Sequence, residues 1–469
     1  MSRRHRAARS VLAVYALGLG LVPATSTAAM PTAAMPTAAM PTAAMPAAAM
    51  PAPLPLSSAD WTTYHYTAAR SGNYAQATHV SGPLRPAWRL TLDGAVYAEP
   101  LVIGGTVVVA TENNSVYGIR GGAVVWRARV GAPAPRSTLP CGNIDPLGIT
   151  GTPVYDPTSG LVYAVAEQAG TFHHRLVGIN PATGVISISR EIDPAGAQPR
   201  YQQQRGALTV TGGKVWIPFG GLAGDCGPYH GYLVGSALSL RGALAVYQTP
   251  SAREAAIWTP PGASVDSAGH LYVSVGNGAS TAPPYDDSDS VVELSGATKI
   301  SLFAPSGWAG ENASDLDLGS QGPALVGGYV FIAGKSGIAY TLRAGALGGI
   351  GGEVSSRVLC TSFGGTAVVG STVYVPCSDG IRAEQITSTG GMHTLWHTFT
   401  SVAGSPVVGG GAVWAMAATA GVLHEMDPAT GATITEANVG VTSRFATPTL
   451  TGNTVIVGTL TGVVALAFG

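Results

Sequence analysis

The sequence predicts an all-β fold, an eight-bladed β-propeller of four-stranded antiparallel blades, and three observations carry that prediction. One unit recurs eight times: a short apolar run, a Gly-rich turn, then an alternating run of β-branched or aromatic residues. Composition agrees, since 64 Gly and only 10% charged residues suit many short, mostly buried strands joined by tight turns. Finally, the eighth unit stops one strand short, while an alternating strand stands unclaimed before the first unit.

The copies begin at Glu99 (EPLVIGGTVVVA), Gly151 (GTPVYDPTSGLVYA), Gly206 (GALTVTGGKVWIPF), Gly262 (GASVDSAGHLYVSV), Gly322 (GPALVGGYVFIAG), Gly365 (GTAVVGSTVYVPC), Gly404 (GSPVVGGGAVWAMA) and Ala446 (ATPTLTGNTVIVGT). Each reads as a hairpin with a Gly or Asp-Pro turn. Starts lie about 40 to 60 residues apart, which leaves room for two more strands per unit. The chain ends on the third strand of its last unit, Gly462–Phe468. The segment Trp88–Leu92 is expected to supply the fourth and close the ring, removing the free sheet edges of an open array.

Upstream of the repeats the chain reads differently. Residues 1–29 have the form of a signal peptide: basic side chains from Arg3 to Arg9, an apolar stretch from Val11 to Val22, then small residues from Thr25 to Ala29. Residues 30–56 repeat Met-Pro-Thr-Ala-Ala, and a Pro at every fifth position suits a semi-extended tether rather than a helix. The propeller is expected over 57–469. These features predict a secreted or wall-associated protein without a membrane span in its mature form. The first Cys, Cys141, lies far from the leader, so a lipoprotein is not expected. A net charge of −1 and no basic cluster after the leader exclude the electrostatic footprint of a nucleic-acid binder. A monomer is expected, with a ligand or protein partner that the sequence does not name.

In an antiparallel four-stranded blade, the loop entering the blade and the loop between its second and third strands open on one face of the disc. That rule sorts the unusual residues. Cys360 precedes blade six and Cys377 ends its second strand; Cys141 precedes blade two and Cys226 follows the second strand of blade three. The disulfides Cys141–Cys226 and Cys360–Cys377 follow, in a setting that permits them. The same face gathers Gln204 and Arg205, Tyr229 and His230, Trp258, Asn277 and Asp289, a polar group at the mouth of an apolar ring and hence a candidate ligand site. Each also has a structural reading. Arg205 would pair with a loop carboxylate, Asn277 between two glycines would be a left-handed turn residue, and His230 would pack its loop. His173 and His174 are adjacent on a strand and would point apart.

The repeats, the turns Asn180-Pro-Ala-Thr-Gly184 and Asp427-Pro-Ala-Thr-Gly431, and the opening segment Trp61–Gly72 together resemble the quinoprotein-dehydrogenase-like propellers, whose repeats are called PQQ-like. The resemblance covers residues 60 to 469. It implies either a non-catalytic binding scaffold or a dehydrogenase that uses pyrroloquinoline quinone (PQQ) and Ca²⁺ to oxidise an alcohol or sugar. Under the second reading Glu167 and Asn277 would be metal ligands, and Asp289 or Asp315 the general base. The chain departs from that pattern at several points. It has no adjacent cysteine pair, no Cys-x-x-Cys-His motif, and the tryptophan usual after the third-strand turn stands only at Trp126 and Trp396. The binding scaffold is therefore the first expectation and the dehydrogenase the alternative.

Overall fold

The computed structural model describes residues 54–76, 82–398 and 401–469. The leader read at 1–29 and the repeat tract up to residue 53 lie outside the described residues. From there on the chain forms eight sheets, each holding four antiparallel strands in succession, and three of them carry one additional short strand. This is the eight-bladed propeller the repeats predict.

Blade one sets the pattern. Its innermost strand, Leu101–Ile103, is short and wholly buried. The second, Thr106–Thr111, is buried at every position because blades pack against both of its faces, which is why it reads TVVVAT instead of alternating. The outermost, Ala123–Arg129, alternates toward solvent. Gly104 and Gly105, at φ +54° and +71°, make the two-residue turn between the first two strands, and this mirror-image turn needs positive φ at both positions.

The ring closes as the sequence predicts. Arg85–Thr91 pairs antiparallel with Gly462–Ala467, with Leu90 opposite Val463 and Thr91 opposite Gly462, and forms the outermost strand of the last blade. The strand begins three residues before Trp88, past a bulge between Pro86 and Trp88.

The opening segment does something that its resemblance did not foretell. It laces the inner edges of the blades. Trp61 exchanges backbone hydrogen bonds with Val102 of blade one at 2.8 and 2.9 Å. Tyr155 of blade two donates to the Thr62 carbonyl, Val265 of blade four to Ala68, and Val368 of blade six to Ser71. Asn73–Tyr74 then runs parallel to the inner strand of blade seven. Arg70, 2% exposed, fixes the middle of the segment by donating to the carbonyls of Leu208 and Ala263 at 3.0 and 3.1 Å. The inner strands would otherwise present unpaired edges to the ring's axis.

Both expected disulfides form, Cys141–Cys226 and Cys360–Cys377, with Cα separations of 6.2 and 5.8 Å. Two disulfides fit an extracytoplasmic protein. Among the described residues no helix is long and apolar enough to cross a membrane.

Candidate functional site

A cavity of about 270 Å³ opens among the loops of blades three, four and five. Its walls come from the places the face rule selects. Arg205 stands in the loop entering blade three, just after Gln202–Gln203, which pairs with Gly220 and Gly221 at the end of that blade's second strand. Tyr229 comes from the loop that follows, and Trp258 from the approach to blade four. Asn277 follows the strand Leu271–Val275. Asp315 caps the short helix Trp308–Ser314 in a left-handed conformation at φ +54°, and Asp317 follows it. Lys335 follows the strand Tyr329–Ala333 of blade five.

Polar contacts tie one wall together. The backbone amide of Asn277 donates to Asp317 Oδ1 at 2.6 Å, and its side-chain Nδ2 donates to Asp315 Oδ1 at 2.7 Å. Lys335 Nζ reaches both carboxylates, Asp315 Oδ1 and Asp317 Oδ2, each at 2.6 Å. Burial works against the Lys335 charge, but the two aspartates outweigh it and raise its pKa. Burial likewise pushes Asp317 upward despite the ammonium beside it. This wall is held in place by one cation and two anions. Asn277 Oδ1 is buried and unbonded.

Arg205 and Trp258 line the cavity as well, and Arg205 with Phe445 also lines a smaller pocket beside it. The Arg205 guanidinium carbon lies 5.9 Å from the Trp258 ring centre and 5.6 Å from that of Phe445. Among the described residues no carboxylate lies within ion-pair distance of Arg205; its hydrogen bond goes to Asn143 Oδ1 at 3.5 Å. Burial lowers the Arg205 pKa, and the Glu112 carboxylate opposes this from beyond ion-pair distance.

Of the residues chosen from sequence, Arg205, Tyr229, Trp258, Asn277 and Asp315 line the cavity. Asp289 stands behind the wall, fully buried, its Oδ1 accepting from the Leu318 amide at 3.1 Å and its Oδ2 unbonded. Gln204 is buried and donates to the Gly206 carbonyl, so it serves the loop. His230 exchanges hydrogen bonds with Gln202 through its backbone, as its packing reading expects. Asn277 does not take a left-handed backbone; Asp287, Asp289 and Asp315 do. His173 and His174 do not point apart. The strand starts at His174, leaving His173 free to turn, and both Nδ1 atoms reach Asp193, at 3.0 and 2.7 Å.

The metal pair is not brought together here. Asn277 lines the cavity, whereas Glu167 lies buried with Oε2 at 3.8 Å from His174 Nε2, neither oxygen hydrogen-bonded. Burial, then the charges of Glu112 and Asp193, raises the Glu167 pKa well above its usual range. Lys335 already pairs with Asp315 and Asp317, and the Asn277 amide turns an N–H, not its oxygen, toward Asp315. As placed, these residues do not assemble a Ca²⁺ set for a quinone.

Sequence reasoning missed Lys335 and Asp317, which line the cavity. The signal for both was present: Lys335 follows a second strand and Asp317 lies in the loop entering blade five, so the face rule reaches them when carried through every blade.

Residues 62–218 match the family described as outer membrane protein assembly factor BamB. The structure is similar to that of quinohemoprotein alcohol dehydrogenase from Comamonas testosteroni, with a TM-score of 0.66 at 17% identity over 87% of this chain and 80% of that one. BamB from Moraxella catarrhalis aligns with a TM-score of 0.58 at 15% identity, over 82% of this chain and all of that one (100%). The computationally designed Ika8 protein gives 0.55 at 13% identity over 82% and 100%. No curated protein matches the sequence. Repeat and ring define the class: the chain is an eight-bladed β-propeller, and its residues 62–218 carry the family match. Its structural neighbours include both a dehydrogenase and an assembly factor, so the class alone selects neither activity.

Proposed function

We propose that this protein is an exported propeller that binds a small planar, acidic ligand in the cavity of its loop-rich face. One observation carries the reading: Arg205, with no carboxylate within ion-pair distance among the described residues, lines the cavity beside the Trp258 ring. An aromatic plate next to a guanidinium with no close ion pair suits a ligand that brings both a π-face and an anion. Titration with planar aromatic acids, PQQ included, followed by Trp fluorescence and thermal shift, tests it. Binding to the folded state raises the melting temperature, and Arg205→Ala abolishes the rise. If no aromatic acid binds, or the variant binds as well as the wild type, the reading is wrong.

A second reading, PQQ- and Ca²⁺-dependent oxidation of an alcohol or sugar, has one observation in its favour: Trp258, Asn277 and Asp315 share the cavity. PQQ with Ca²⁺ would then support dye-linked oxidation that Asp315→Asn removes. Binding without turnover leaves the scaffold reading standing.

A further inference from the structure

On the opposite, turn-bearing face, the geometry points to a Zn²⁺ site in blade four, formed by Asp266, His270 and Glu293. Asp266 and His270 flank the turn between the blade's first two strands, and Glu293 lies on its third strand directly opposite Tyr272. One ligand atom from each of the three residues lies within 4.8 Å of the others. His270 Nδ1 is 3.3 Å from Asp266 Oδ2 and 3.2 Å from Glu293 Oε1. Tetrahedral Zn²⁺ with bonds of about 2.0 to 2.1 Å sets its ligands about 3.4 Å apart, close to the spacing between the imidazole nitrogen and each carboxylate.

The surroundings prepare these atoms for a cation. Asp266 Oδ1 is held by the amides of Ala268 and His270, both at 2.9 Å, which turns Oδ2 toward the site. Tyr272 accepts from the Gly345 amide at 3.2 Å and donates its hydroxyl to Glu293 Oε1 at 2.9 Å, an outer partner that orients the carboxylate. Glu293 is fully buried and its Oε2 has no hydrogen bond. Nδ1 carries at most one hydrogen and faces two carboxylates, so the imidazole alone does not satisfy both. An unbonded buried carboxylate oxygen is costly without a cation.

One imidazole with two carboxylates suits Zn²⁺, whereas Ca²⁺ takes oxygen ligands alone. His270 is 33% exposed, leaving room for a water as fourth ligand. The site is independent of the loop-face cavity.

The test uses the full chain, stripped with chelator, titrated calorimetrically with Zn²⁺, and with Co²⁺ as a spectroscopic stand-in. The wild type takes up about one Zn²⁺ per chain, its melting temperature rises, and Co²⁺ gives the intense visible bands of a tetrahedral site. His270→Ala and Glu293→Gln each weaken binding at least about tenfold and lose the Co²⁺ bands. His270 sits at an exposed turn, so His270→Ala melts like the metal-free wild type even where Glu293→Gln does not fold. An absence of saturable binding overturns the site, as does wild-type affinity in His270→Ala.

Discussion

Asp289 carries its carboxyl where burial and the charge of Asp317 act in the same direction, pushing its pKa from 3.8 up to about 8. The folded protein therefore holds a proton there that the unfolded chain has released, across the window from about pH 4 to pH 8. Stability falls as pH rises through that window, because the native state then binds more protons than the unfolded one. Asp289→Asn removes the titration and keeps an acceptor for the Leu318 amide. Urea midpoints at pH 5 and pH 8 should show the wild type losing at least about 1 kcal/mol more than the variant between the two. Equal losses would show that Asp289 is ionised throughout. At this scale the sequence was partly legible. The face rule selected Arg205, Tyr229, Trp258 and Asn277, which line the cavity, but it carried no depth, so Asp289 looked like a cavity residue although Asp317 stands in front of it. Position along a strand decides which face of the disc a residue reaches; how far it projects depends on loop paths that have no period.

Two tryptophans and two Pro-Ala-Thr-Gly turns are mates, set one blade apart. Trp126 of blade one donates its indole N–H to the Pro181 carbonyl in blade two, and Trp396 of blade six donates to Pro428 in blade seven, both at 2.9 Å. Each turn ends on a glycine at positive φ, Gly184 at +74° and Gly431 at +72°. A Cβ on Gly184 would lie 2.7 Å from Trp126 Cε3. The sequence displayed both turns and both indoles, yet each Trp read as belonging to the turn within its own blade, since the contact crosses between blades and local spacing cannot record it. Trp126→Phe keeps a ring against the turn and loses the hydrogen bond, at a cost of about 1 kcal/mol. Gly184→Ala adds a left-handed alanine and a clash to the same contact, and should cost about 2 to 3 kcal/mol. Denaturant midpoints measure both; a neutral Gly184→Ala would mean the turn moves freely and does not join the two blades.

Eight blades could be counted from the sequence because each repeat is one hairpin with a fixed pattern, and closure could be inferred because the last repeat lacks a strand. The lacing segment could not, since its bonds to the inner strands run through backbone groups that every residue has. Ring and lace have different consequences when strands are broken. Leu90 in the closing strand stands two residues before Leu92, whose amide donates to Thr461, so the Leu90 amide faces the same partner strand. Ala437 holds the equivalent place in blade seven, two residues before Val439, whose amide donates to Gly421. Proline at either position deletes one ladder bond in an outermost strand. In blade seven that strand is continuous with its own blade, and the lesion stays local. In blade eight that strand comes from the start of the propeller and pairs with its end, so the same lesion loosens the ring and frees the edge of Gly462–Ala467. Leu90→Pro should therefore melt well below Ala437→Pro, elute from a sizing column at a larger radius and be cleaved faster by protease. Equal melting temperatures and radii for the two variants would show that the laced inner edges, rather than the closing strand, hold the ring shut.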